Sequence, residues 1–174
     1  MINPFVVRDT HYIVQFLFEG LVFGAVAEIT LSGNATYYLQ GKTGSNRLVH
    51  FISRTMAHNG TDVTVEQYEN PTLTANGTIL VTAKNSNRES AKTAEFTIYS
   101  NPPVPTSDGI LVAKDRIFGA TGGVGSNAVS AATLSITGIE RILKKGEDYV
   151  LKFINNTTAT TTLVLSLLWY ESSN

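Results

Sequence analysis

Three histidines, His11, His50 and His58, and the carboxylates around position 66 are the first residues in this sequence whose types suit chemistry. No two histidines stand at a ligand spacing such as i, i+4, so a zinc site would have to gather ligands from separate strands. No cysteine exists to join them. In Arg47-Leu48-Val49-His50-Phe51-Ile52-Ser53-Arg54 a period of two puts His50 on one face with Leu48 and Ile52, which reads as a hydrogen-bonded core or interface histidine. Asp62, Thr64 and Glu66 likewise point together, with Glu69 beyond them, and read as the wet face of a strand. Glycoside hydrolysis needs two carboxyls about 5–10 Å apart in a cleft, which a sequence does not display, and the solvated face is the preferred reading. Gly41-Lys42-Thr43 matches the end of a phosphate-binding loop, but Thr36 stands where the upstream glycine belongs and no helical pattern follows. Residues 119–127 are glycine-rich without the strand-to-helix setting of a dinucleotide fingerprint, and read as a surface loop. Nothing matches a nucleophile elbow. The residues therefore assign no catalytic group, no metal and no cofactor.

The elements that would have to position any site are strands. The chain has 174 residues, a net charge of −1, 43% hydrophobic and 16% charged residues, and Thr, Ser and Asn make up more than a quarter of it. That apolar content supports a folded core. β-Branched Thr suits a pleated surface and Asn suits tight turns. The lack of cysteine removes disulfide scaffolds and thiol nucleophiles, and the near-zero charge argues against a nucleic-acid partner.

Alternation is the dominant pattern. Tyr149, Leu151 and Phe153 share one face, as do Leu163, Leu165, Leu167 and Trp169, and the short polar link between these two segments predicts an antiparallel hairpin. Similar segments fall at about 26–31, 36–42, 47–56, 62–69, 78–84, 92–99 and 110–118. Residues 138–146 read as a strand feeding a turn, residues 126–134 have room for a turn of helix, and Pro102-Pro103-Val104-Pro105 reads as a rigid loop between two sheets. The apolar stretch 13–31 is interrupted by Glu19 and Glu28, so it reads as buried strand and turn and not as a bilayer span. No basic region precedes an apolar block at the N-terminus, as a secretory signal would require. The prediction is an all-β fold, an antiparallel β-sandwich or jelly roll of about eight or nine strands. Residues 21–174 form its single domain, and residues 1–20 are an N-terminal arm or a first strand.

An ordered series of short stretches carries a resemblance. It runs Tyr37-Tyr38-Leu39-Gln40-Gly41-Lys42-Thr43-Gly44, then Val49-His50-Phe51-Ile52-Ser53-Arg54, then Tyr68-Glu69-Asn70-Pro71-Thr72-Leu73-Thr74 with Asn76-Gly77-Thr78. It continues through Asn87-Arg88-Glu89-Ser90, Ile98-Tyr99 with Pro102-Pro103, and Tyr149-Val150-Leu151-Lys152-Phe153-Ile154-Asn155 to Trp169-Tyr170-Glu171. Over most of residues 35–171 this series resembles small structural proteins of tailed bacteriophages, commonly capsid decoration or cement proteins with jelly-roll or related sandwich folds. The resemblance implies a non-enzymatic virion protein on the capsid exterior, assembled in the bacterial host cytoplasm. Its partner would be the major capsid protein, bound as a homo-oligomer, a trimer before a dimer, with no nucleic acid and no membrane. The expected interface residues are Pro4, Phe5, Tyr12, His50, Arg54, Arg88, Trp169 and Tyr170. Two other readings stay open. One is a receptor- or carbohydrate-binding head domain of a phage fibre, served by Trp169 and the Asn- and Thr-rich loops. The other is a polysaccharide hydrolase drawing on Asp62, Glu66, Asp108, Asp115 or Asp148.

Overall fold

The computed structural model describes residues 13–58, 62–100, 104–117, 130–132 and 141–173. Residues 13–18 form a short helix, α1. The strands that follow are β1 (Val22–Leu31), β2 (Thr36–Lys42), β3 (Leu48–His58), β4 (Val63–Glu69), β5 (Ile79–Val81) and β6 (Lys84–Asn85). Then come β7 (Thr97–Ser100), β8 (Ile110–Ile117), β9 (Ser130–Ala132), β10 (Arg141–Leu143), β11 (Asp148–Asn155) and β12 (Thr161–Ser172). Twelve strands among the described residues exceed the expected eight or nine: the segment expected at 78–84 divides into β5 and β6, β10 falls within the strand read at 138–146, and β9 has three residues, too few for alternation to show.

Two sheets pack face to face. The first, sheet A, has the order β10-β3-β12-β1-β6, with β9 also on β3; the second, sheet B, has the order β5-β7-β2-β11-β4-β8. All pairings are antiparallel, and they nest: β1 pairs β12, β2 pairs β11, β3 pairs β10 and β4 pairs β8. A chain folded into one long hairpin whose two arms are then rolled together has this order, which is the jelly roll. The nesting corrects one sequence expectation. β11 and β12 do not form a hairpin: β11 lies in sheet B and β12 in sheet A, and the polar link 156–160 arches between them. The proline-rich segment is corrected in the opposite sense, since it joins β7 to β8 and both belong to sheet B.

Alternation builds the core. Phe23, Ala25, Ala27, Ile29 and Leu31 of β1 face inward while Val26, Glu28 and Thr30 face out. On β12 the inward set Leu163, Leu165, Leu167 and Trp169 continues to Glu171. Trp169 is completely buried, its ring 5.4 Å from Phe96, 6.1 Å from Phe23 and 6.2 Å from Phe51 between centroids. A bulge in β3 opposite Leu168 and Trp169 pairs Ser53 with Leu168 and Phe51 with Trp169, leaving Ile52 as the extra residue. Val49 and Phe51 therefore share the inner face with Arg54, Met56 and His58, whereas a strict period of two would send Arg54 outward beside His50.

The strand-and-turn expectation for 13–31 is corrected at its start, where residues 13–18 are helical. Gln15 Nε2 donates to Glu19 Oε1 at 2.8 Å one turn on. The helix stops at Gly20, with φ +69°, where Gly20 N donates to Leu17 O (3.0 Å) and Leu21 N to Phe16 O (2.8 Å). This pair of bonds is a Schellman stop, which needs a left-handed residue. A Cβ at Gly20 would also lie 2.0 Å from Ser90 Oγ, so both space and backbone demand glycine.

Candidate functional site

The candidate site is the pair of outer sheet faces, and the two are built differently. On sheet A, α1 lies across one end of the face. Phe16 stacks on Tyr170 at 4.4 Å, Tyr170 stacks on His50 at 4.4 Å, and His50 Nε2 meets Ser172 Oγ at 2.8 Å. Phe16, Leu21, Val22 and Tyr170 make a second apolar cluster outside the main core, with Leu17, Ile52 and Leu168 packed against it. Beyond the helix the face is made mostly of small side chains. Among the described residues Glu28 is the one ionised side chain that β1, β3 and β12 turn outward; the rest are Gly24, Val26, Thr30, Thr55, Ala57, Thr162, Val164 and Ser166. Val26 is 63% exposed, and Phe18 of α1 is 78% exposed, with Val14, Val164 and Ile142 also open. The apolar content here is high for a solvated surface.

The outer face of sheet B is a charge ladder. Cross-strand register sets Tyr38, Lys152, Glu66 and Lys114 in one row over β2, β11, β4 and β8. Lys114 Nζ lies 2.7 Å from Glu66 Oε1, and Tyr68 donates to Glu66 Oε2 at 2.8 Å. Lys152 Nζ meets Asp108 Oδ2 at 2.6 Å and stands 5.7 and 5.8 Å from the ring centroids of Tyr38 and Tyr68. One row away Arg116 binds Asp62 through two bonds, of 2.6 and 3.1 Å. Burial works against ionisation of Glu66, but the bonds from Lys114 and Tyr68 outweigh it and hold the carboxyl below its usual range. Burial, with the same Glu66 bond, pushes the Tyr68 hydroxyl up to about 12. The Arg116 bonds hold the Asp62 carboxyl down, and the Asp108 bond holds the Lys152 ammonium up. The face expected to be wet is thus directed outward but covered: Thr64 and Glu66 are buried under the side chains that pair across it.

Between the sheets, polar ties replace packing at two places. Arg54 of sheet A donates to Gln67 Oε1 (3.2 Å) and Asp115 Oδ2 (3.0 Å) of sheet B, and Arg141 shares Gln67 Oε1 at 2.8 Å. Burial lowers the Arg54 pKa, and Asp115 opposes that effect. A cavity of about 40 Å³ lies against these groups. The second tie is Glu171, wholly buried, which accepts from the backbone N–H of Glu95 (2.9 Å) and Phe96 (2.9 Å), from Trp169 Nε1 (3.3 Å) and from Arg47 (3.3 Å). Continuing the inward period of β12 by one step beyond Trp169 finds it.

Of the eight expected interface residues, Pro4, Phe5 and Tyr12 lie outside the described residues. His50 and Tyr170 come together, but beneath α1 and not at the surface. Arg54 and Trp169 face the interior, where neither can touch a partner, so the structure corrects both as surface contacts. It also removes Trp169 as a sugar platform. Among these eight, Arg88 alone is described with an exposed side chain, in the turn after β6. Each carboxylate singled out for hydrolysis has a donor: Asp62 has Arg116, Glu66 has Lys114, Asp108 has Lys152, Asp115 has Arg54, and Asp148 accepts from Gln40 at 2.9 Å. Gly41 of the phosphate-loop fragment sits under the Phe96 ring, where a Cβ would approach to 2.6 Å, and Thr43 Oγ1 bonds Lys144 O at 2.7 Å; both are packing roles. No group of His, Asp and Glu with a metal-holding arrangement occurs among the described residues, nor a helix long and apolar enough to cross a membrane. No family model matches the chain, and neither a curated protein nor a solved structure matches it.

Proposed function

We propose that this protein is a virion structural protein, a capsid decoration or cement protein that binds the outside of a phage head and ties major capsid subunits together. The observation that carries the reading is the outer face of sheet A. It has exposed apolar residues, small side chains and almost no charge, which suits a surface that excludes water against a protein shell. The ordered residue series of the sequence supports the same reading. Several modest contacts made by a homo-oligomer, a trimer before a dimer, add up to a stable clamp. The test is to add the purified protein to preformed capsids that lack it. Co-sedimentation together with a gain in heat resistance is expected. Protein that stays in the supernatant beside equally fragile particles would reject the reading.

A second reading, the carbohydrate-binding head of a phage fibre, draws on one observation: the rings of Tyr38 and Tyr68 flank Lys152 beside Asp108 and Glu66 on the outer side of sheet B. Glycan-array binding that disappears with Tyr38→Ala, while capsid addition fails, would favour it.

A further inference from the structure

Sheet A is completed along β1 for only two residues: β6 pairs Phe23 and Gly24 and then departs. Ser86 N donates to Val22 O at 2.8 Å on that side, so the two-residue period of the strand turns the N–H and C=O of Val26, Glu28 and Thr30 to the same side. No described strand pairs with them there. The opposite margin of the sandwich is protected. Edge strand β8 has a bulge at Val112 and ends in Lys114, Asp115 and Arg116, the usual means of blocking strand addition. Along the open part of β1 the register is unbroken by a bulge, and Glu28 is the one charge.

A groove of about 730 Å³ runs beside this bare edge, walled on the far side by Leu80 and Thr82 from the margin of sheet B. Leu80 is 59% exposed on that rim. The ends of the groove differ in charge. Glu28 stands at one end, Lys84 and Arg88 at the other, and none of the three makes a described ion pair.

We propose that the β1 edge and this groove form a docking site for an extended peptide strand of another protein, lying antiparallel to β1 with its C-terminal end at Lys84 and Arg88. The direction follows from two independent observations. Every pairing in both sheets is antiparallel, and a strand continuing the track of β6 would begin opposite Thr30 and end opposite Val26 beside Lys84. The charges agree, because an acidic C-terminal end then meets two cations and a basic N-terminal end meets Glu28. Val26, Glu28 and Thr30 together offer three donors and three acceptors, so main-chain bonds supply affinity and the charged ends supply polarity. The proposal does not depend on the shell-binding reading, although the side chains of Val26, Glu28 and Thr30 belong to that same outer face; it uses their main-chain groups at its edge.

The test uses the full chain and two fluorescein-labelled octapeptides, KTVTVTVD with a free C-terminal carboxylate and its charge-reversed counterpart DTVTVTVK with an amidated end. Fluorescence anisotropy should show the first binding at least tenfold more tightly than the second. Lys84→Glu combined with Arg88→Glu should invert that preference. Val26→Pro removes one docking N–H but no bond to β12, so it should weaken binding while the thermal midpoint holds. N-methylation of alternate peptide nitrogens should abolish binding whatever the variant's stability. Absence of binding by either octapeptide, or equal binding of both, would overturn the proposal. So would binding that only breaks up a dimer of the protein itself, since the occupant would then be a second copy.

Discussion

The two outer faces of the sandwich are both built from antiparallel strands, yet one is tiled with charges and the other is almost free of them. On sheet B most of the ionised groups that face out meet an opposite charge, and the pairs cover one another, as in Lys114 on Glu66 and Arg116 on Asp62. Such a face is satisfied by itself. On sheet A, hydroxyls and small apolar groups lie around Val26 and Val164, and among the described residues the one large cover is α1, held by the Phe16, Tyr170 and His50 stack. The difference teaches that polarity alone does not identify a binding face. The charged face has already used its partners, and the uncharged one has surface left to bury.

The largest effect that tests this contrast is Tyr170→Ala. Removing the central ring of the stack should cost about 3–5 kcal/mol in urea unfolding, because Phe16 and His50 lose their shared partner. Tyr68→Ala, on the satisfied face, should cost about 1–2 kcal/mol, and equal losses would erase the distinction. Next in size, Val26→Lys with Val164→Lys, the latter opposite Glu28, should cut capsid addition at least tenfold, about 1.4 kcal/mol. Unfolding should move by less than about 0.5 kcal/mol in that variant. Lys114→Glu on sheet B should leave capsid addition unchanged. Lys152→Met, which breaks the Asp108 pair, should cost up to about 1 kcal/mol, and less at high salt.

The smallest effects are in pH. Asp62 and Glu66 titrate lower folded than unfolded, so the stability they contribute is present above the ordinary carboxylate range of about pH 4 and is lost as pH falls through their folded values. Asp62→Asn should flatten part of that acid limb. Tyr68 is raised, so its contribution holds below about pH 10 and is lost as pH climbs toward about 12. Tyr68→Phe should remove its share of the alkaline loss in a denaturation series.

Much of this architecture was legible in the sequence. The alternation of Tyr149, Leu151 and Phe153, and of Leu163 to Trp169, marks real strands with those residues on one side. Which sheet each strand enters was not legible, since strands of both sheets put their apolar sides toward the same core and the pattern is identical for either. That ambiguity produced the mistaken hairpin between β11 and β12. The helix was hidden because Ile13 to Phe18 is apolar nearly throughout, so neither period stands out and Gly20 is the one stop signal. Arg54 was misplaced by a bulge that no local residue announces. The acidic side of the sheet B ladder could be read from Asp62, Thr64 and Glu66. Its cations come from two other strands, one distant in sequence and one following a long insertion, so the cover over those carboxylates could not be foreseen.

The nesting of the strands also has a temporal consequence. Val22 pairs with Tyr170, 148 positions further along, and the outermost hairpin cannot zip until the last strand has left the ribosome. Contacts of such long sequence separation carry a large loop-closure cost and fold slowly. During synthesis the apolar side of β1 therefore waits without its mate, so refolding yield should fall steeply with protein concentration while the native fold, once closed, stays shut.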